Sequence, residues 1–224
     1  MTALSTRTFL ALTLTALVPA ACAKKTDATD ANFTAAMNEY LAKRGDLCLG
    51  KSVWPIDVTG RDVETGARHA VQMPVLEKLG LVSASDAVAE IRDEDQAITV
   101  PVRRYQLTVT GKRYYLTRET GAVTAAGEKV RESDLCAARL SLDKVVGWKL
   151  GEGAHRAIVT YTYHVEAPDW IETSEARRVF PAVDRVLRGD GAAQLTEGFV
   201  LTDEGWVANE LAPSRALVAE KSPR

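Results

Sequence analysis

The chain has 224 residues, 46% hydrophobic and 26% charged, a balance that suits one globular domain or two small ones and excludes a low-complexity polymer. A formal net charge of −2 supplies no basic field to gather nucleic acid. Beyond the first 25 residues, no apolar stretch approaches the roughly 20 residues needed to cross a bilayer.

Residues 1–8 carry one cation, Arg7, and run into the uncharged stretch FLALTLTALVPA. Ala20, Ala21 and Cys22 follow, and then the polar run KKTDATDAN. A positive end, a short apolar core and small residues are the layout of an export signal. Ala20-Ala21-Cys22 resembles the end of a bacterial lipoprotein signal, in which the cysteine thiol receives diacylglycerol and becomes the new N-terminus. Pro19 stands where that family favours leucine. The resemblance implies a signal peptide over 1–21, lipidation at Cys22 and a tether over 22–31. It also implies an outer-membrane lipoprotein facing the periplasm, since no aspartate follows the cysteine. The alternative cut, after Ala23, would release a soluble periplasmic or secreted chain.

Either cut removes Cys22 from the pairing pool and leaves Cys48 and Cys136. In an oxidising compartment these two are expected to form a disulfide. They stand 88 residues apart, and closing such a loop is worth at most roughly 4–5 kcal/mol through chain entropy.

In chain order, Asn32 is placed to cap a helix through FTAAMNEYLAKRG, with Phe33, Met37, Tyr40 and Leu41 on one face and Gly45 as its stop. Val53-Trp54-Pro55-Ile56 reads as a short strand. MPVLEKLGLV, residues 73–82, reads as a helix with Pro74 in its first turn and Gly80 at its end. Residues 98–102 and 105–109 have strand composition, and Thr110-Gly111-Lys112 turns the second of these into a hairpin with 113–116.

The same stretch, from LGLV to YQLTVTGKRYY, is similar to winged-helix domains. That similarity implies helix rather than hairpin over 109–116. It also implies phosphate contacts from Arg103, Arg104, Lys112 and Arg113, a role at odds with an exported, slightly acidic chain.

Residues 119–132 are polar, contain Gly121 and Gly127, and read as a linking loop. Beyond Cys136, residues 142–150 and 157–165 read as strands, with Val159, Tyr161, Tyr163 and Val165 on one face and Thr160, Thr162 and His164 on the other. A helical region over 173–187 is interrupted by Pro181, and 197–202 pairs with 205–208. The expected fold is therefore α+β, with an N-terminal helix and a small winged-helix-like α/β subdomain over 32–120. A small antiparallel sheet with one packed helix, strand order ββαββ, follows over 138–212, and a flexible tail over 213–224.

No metal-ligand spacing, phosphate loop, dinucleotide fingerprint or nucleophile elbow occurs, so the residues point to no cofactor. His69, His155 and His164 lie apart in sequence, and Trp170, beside Pro168 and Asp169, reads as an exposed contact residue. The expectation is a non-enzymatic envelope module, held to the membrane by its lipid and binding another envelope protein. A soluble periplasmic enzyme is the rival, with His164 and Asp169 or Glu166 as its first suspects.

Overall fold

The computed structural model describes residues 24–93, 96–123 and 127–212. The signal segment 1–21, Cys22 and the expected tail over 213–224 lie outside the described residues. In chain order the elements are α1 (Asp30–Arg44), β1 (Asp46–Cys48), β2 (Ile56–Thr59), α2 (Gly60–Thr65), α3 (Arg68–Lys78), β3 (Val82–Asp93), β4 (Gln96–Leu107) and α4 (Val109–Lys112). They continue as β5 (Tyr115–Val123), β6 (Lys129–Leu150), β7 (Arg156–Glu166), α5 (Asp169–Glu172), α6 (Ser174–Val179), α7 (Pro181–Arg188), β8 (Gln194–Thr202) and β9 (Gly205–Ala208). The class is α+β. One antiparallel sheet has the order β1-β6-β7-β8-β9, with β5 added along β6, and a second has the order β2-β4-β3.

The apolar stripe of α1 is its buried face: Phe33 and Met37 are fully buried and Leu41 nearly so. Its cap is Thr29, whose hydroxyl accepts from the Asn32 backbone N–H. The Asn32 side chain instead donates to the carbonyls of Lys24 and Asp27, each at 2.8 Å. Trp206 Nε1 donates to the same Asp27 carbonyl at 3.2 Å. The described part of the expected tether is thus a turn that leads into the first residues of α1, fastened to the body by the Asn32 and Trp206 side chains. Gly45 ends the helix where the chain passes close to β6. A Cβ there would meet the carbonyl oxygens of Leu41 and Leu140 at 2.5 Å.

Several local expectations give way to longer-range pairing. No strand spans 53–56. Val53 is 74% exposed, Trp54 Nε1 bonds to the Lys51 carbonyl at 3.1 Å, and strands lie on either side. The helix expected to begin at Met73 starts five residues earlier, because buried Gln72 and Met73 already face the core, and Pro74 sits inside it. Leu81 and Val82 turn inward instead as β3 begins, with Gly80 at φ +75° making the bend. The hairpin lies between β3 and β4 and not at 110–112. Val109–Lys112 is one helical turn capped by Thr108, whose hydroxyl accepts from Gly111 N–H and donates to the Gly80 carbonyl at 2.7 Å. The polar stretch 119–132 is not a linking loop. Its described residues form the β5–β6 hairpin, with Glu119 opposite Arg131 and Val123 opposite Lys129.

That hairpin runs through the position where two subdomains were expected to part. The 22-residue strand β6 pairs with β5 along its first half, with β1 near its middle and with β7 along the rest. Residues 30–48 therefore belong with the larger sheet, and the smaller sheet spans 56–107. One core joins α1 to β6–β9 around Phe33, whose ring centroid lies 4.9 Å from Trp206 and 5.1 Å from Trp148. The other joins the small sheet and α3 to β6 and to α5–α7. Leu135, Ala137, Ile171, Phe180 and Val183 pack there with Met73, Leu76 and Tyr105. The single packed helix of the expectation is three short ones, and Pro181 opens the last of them.

Cys48 and Cys136 face each other across β1 and β6 with their sulfurs 2.12 Å apart, and the Arg118 guanidinium donates to both sulfurs. Reduction, or Cys48→Ala, should lower unfolding stability by about 2–4 kcal/mol, measured as the shift in denaturation midpoint with and without reductant. Identical midpoints would rule out a bond there.

Candidate functional site

Immediately after β1 the chain makes a left-handed step at Gly50, φ +68°. The backbone N–H groups of Gly50 and Lys51 donate to the Asp134 carboxylate at 3.0 and 2.6 Å. This fastening points the Lys51 side chain under α3, where it is 1% exposed. Its Nζ donates to Gln72 Oε1 at 2.7 Å, and Gln72 Nε2 donates to the Val179 carbonyl at 2.9 Å. Burial pulls the Lys51 pKa down to about 8; the Arg68 charge adds to this and Asp134 opposes it.

Over this chain of bonds lies a cleft of about 410 Å³ between the end of β1, α3 and the α6–α7 corner. Leu49, Val71, Val179, Phe180 and Val183 form its apolar wall, and Arg68 and Arg178 stand exposed at its rim. Among the described residues no carboxylate lines the cleft and none forms a salt bridge with Arg68 or Arg178, although the Arg178 charge acts on Glu175 beyond the lining. Nearby Glu175 is held by Lys78. His69, next to Arg68, has its pKa lowered, first by burial and then by the Lys51 and Arg68 charges, with Asp62 opposing. The arrangement can hold an anion against an apolar surface.

A second, larger hollow of about 700 Å³ is lined by Arg44, Arg118 and Arg131 together with Glu119, Glu132 and Asp134. Most of its charges have partners: Arg131 reaches Glu119 at 3.9 Å, Arg118 reaches Asp46 at 3.1 Å, and Arg44 reaches Glu210 at 3.8 Å. It offers less unbalanced charge to a ligand than the cleft does.

The residues suspected from sequence are distributed otherwise. His164 bonds to Asp190 through Nδ1 at 3.0 Å and lies 3.4 Å from Asp143 through Nε2, rather than meeting Asp169 or Glu166. Thr162 donates to Asp143 at 2.6 Å, and that bond is the first cause holding the Asp143 carboxyl below the usual range. His164 is exposed on β7 while Thr162, two residues before it, is buried, and the cluster lies outside the cleft. Asp169 opens α5 and His69 lies on α3, while His155 follows the turn after β6. Trp170 is not an exposed contact: it is 9% exposed, with its ring 5.7 Å from Tyr114 in the core. Among the described residues no group of three or more metal-ligating side chains converges.

Of the four cations that a winged-helix likeness would assign to phosphate, Arg103 and Arg104 are engaged elsewhere. Arg104 grips Asp57 through two bonds at 2.7 and 2.6 Å, and Arg103 pairs with Glu77 and Asp86. On the other core, Glu197 lies half-buried beside Tyr40 and has its pKa raised, burial being the main cause. Burial likewise pushes Tyr161 up to about 12.

Lys51 sets a pH signature. Its folded pKa lies below the ordinary 10.5, so the unfolded chain holds this proton more tightly. Stability should therefore rise as pH climbs from about 8 to 10.5 and be lost on the way back down, by up to about 3 kcal/mol. Denaturation of the protein and of Lys51→Met across that window should show the unmodified chain gaining on the variant, and parallel curves would contradict the assignment. Comparison with protein-family models, with curated proteins and with solved structures finds no match to this chain.

Proposed function

We propose that the chain is an exported, lipid-anchored protein of the bacterial envelope, facing the periplasm, whose folded body is a non-enzymatic binding module. The observation that carries the reading is the Cys48–Cys136 pair at bonding distance, a linkage suited to an oxidising compartment, behind a lipoprotein-like Ala20-Ala21-Cys22. The cleft beside that pair supports binding rather than turnover. It combines an apolar wall with two arginines and sets no nucleophile beside a base. Its outward partner is another envelope component, and nucleic acid is disfavoured by the slight negative charge and the engaged arginines.

A soluble periplasmic enzyme is the second reading, favoured by one observation, the placement of His164 between Asp143 and Asp190. Acid–base chemistry there would need a substrate seated on the open face of β7.

Changing Cys22 to Ser should move the protein from the membrane fraction to the soluble periplasmic fraction without altering its unfolding midpoint. Retention of the variant in membranes would reject the anchor.

A further inference from the structure

We infer that the cleft between α3 and the α6–α7 corner binds an anionic amphiphile, a small molecule with one oxyanion head and an apolar body. This inference rests on the binding-module reading and names its ligand class. A volume of about 410 Å³ admits about a dozen non-hydrogen atoms at the ~30 Å³ that each water molecule occupies in the liquid. The wall of Leu49, Val71, Val179, Phe180 and Val183 offers that body a surface on which to leave water.

The head is specified by charge. Arg68 and Arg178 flank the opening with no salt bridge to a carboxylate among the described residues; Glu175, on which the Arg178 charge acts, is itself held by Lys78. Guanidinium groups match planar carboxylate and phosphate oxygens through paired N–H bonds. Beneath them the Lys51 side chain is bonded to a neutral amide oxygen and not to a carboxylate, so its charge adds to theirs. Gln72 holds α3 to α6 through the Val179 carbonyl and so fixes the two arginine-bearing walls relative to each other. The larger hollow near Arg118 shows the contrast: there acidic and basic side chains stand together, whereas here the lining is cationic and apolar apart from the amide of Gln72. A cationic or uncharged amphiphile would gain the wall but not the rim.

The test uses the full chain carrying Cys22→Ser, exported and purified without detergent, with calorimetric titration of decanoate, decyl phosphate and decanol. Decanoate or decyl phosphate should occupy one site at least tenfold more tightly than decanol, since a charge-assisted bond exceeds a factor of ten. Arg68→Ala combined with Arg178→Ala should weaken that binding at least tenfold. Ala182→Trp, at an exposed position of the cleft lip, should abolish it while the unfolding midpoint stays in place. Equal affinity for decanol would overturn the inference, as would binding that survives either variant, or no saturable binding of either anion. In the last case the anchor reading stands or falls separately, on the fractionation of the Cys22→Ser chain.

Discussion

The carboxylate of Asp134 fastens the crossing between the two sheets. It takes the N–H groups of Gly50 and Lys51 just where the chain leaves the larger sheet for the smaller one. Two residues before Gly50, Cys48 meets Cys136, which lies on the same strand as Asp134, and three residues beyond Lys51 the Trp54 indole closes back on the Lys51 carbonyl. A carboxylate accepting two backbone N–H bonds is a strong fixture, because both donors would otherwise have to be satisfied by water. With this segment fastened, β6 serves both bodies. Its first half carries β5 and supplies Leu135 and Ala137 to the small-sheet core, and its second half pairs with β7 in the large one.

The cleft follows from that fastening. Residues 48–51 have one course, so Lys51 points under α3, and the bond from its Nζ to Gln72 continues to the Val179 carbonyl. Burying an ammonium against a single neutral acceptor is unfavourable, and the depressed Lys51 pKa expresses that. A position that weakens the fold yet organises two walls of a cleft is what a ligand-binding site tends to look like. The positive rim and apolar wall then set the sign and character of what can enter.

Parts of this were legible in the residues. The face of α1 follows from the spacing of Phe33, Met37 and Leu41, and the inner face of β7 from the alternation of Val159, Tyr161 and Tyr163. The Cys48–Cys136 pairing came from counting cysteines after removing Cys22. Periodicity failed for 119–132, where glycines and charges imitate a loop although the backbone pairs. Strand pairing with a distant partner decided that stretch, and the local composition did not. Likewise Thr110-Gly111-Lys112 has the composition of a hairpin turn, whereas Thr108 uses its hydroxyl to begin a helical turn. The cleft left no trace in sequence. Cys48, Arg68 and Arg178 come from three distant segments, and Lys51 stands in a stretch that looks like a solvated loop. His164 found acidic partners, but across a neighbouring strand and a turn and not among the carboxylates next to it in the chain.

The account joins a compartment, an anchor and a covalent link, and one intact-mass measurement on protein taken from cells, non-reduced and without alkylation, addresses all three. It predicts a chain that begins at Cys22, carries the added mass of diacylglycerol, and lacks the two hydrogens lost when Cys48 and Cys136 join. A chain that begins at Lys24 without lipid, or one with both thiols free, would contradict it.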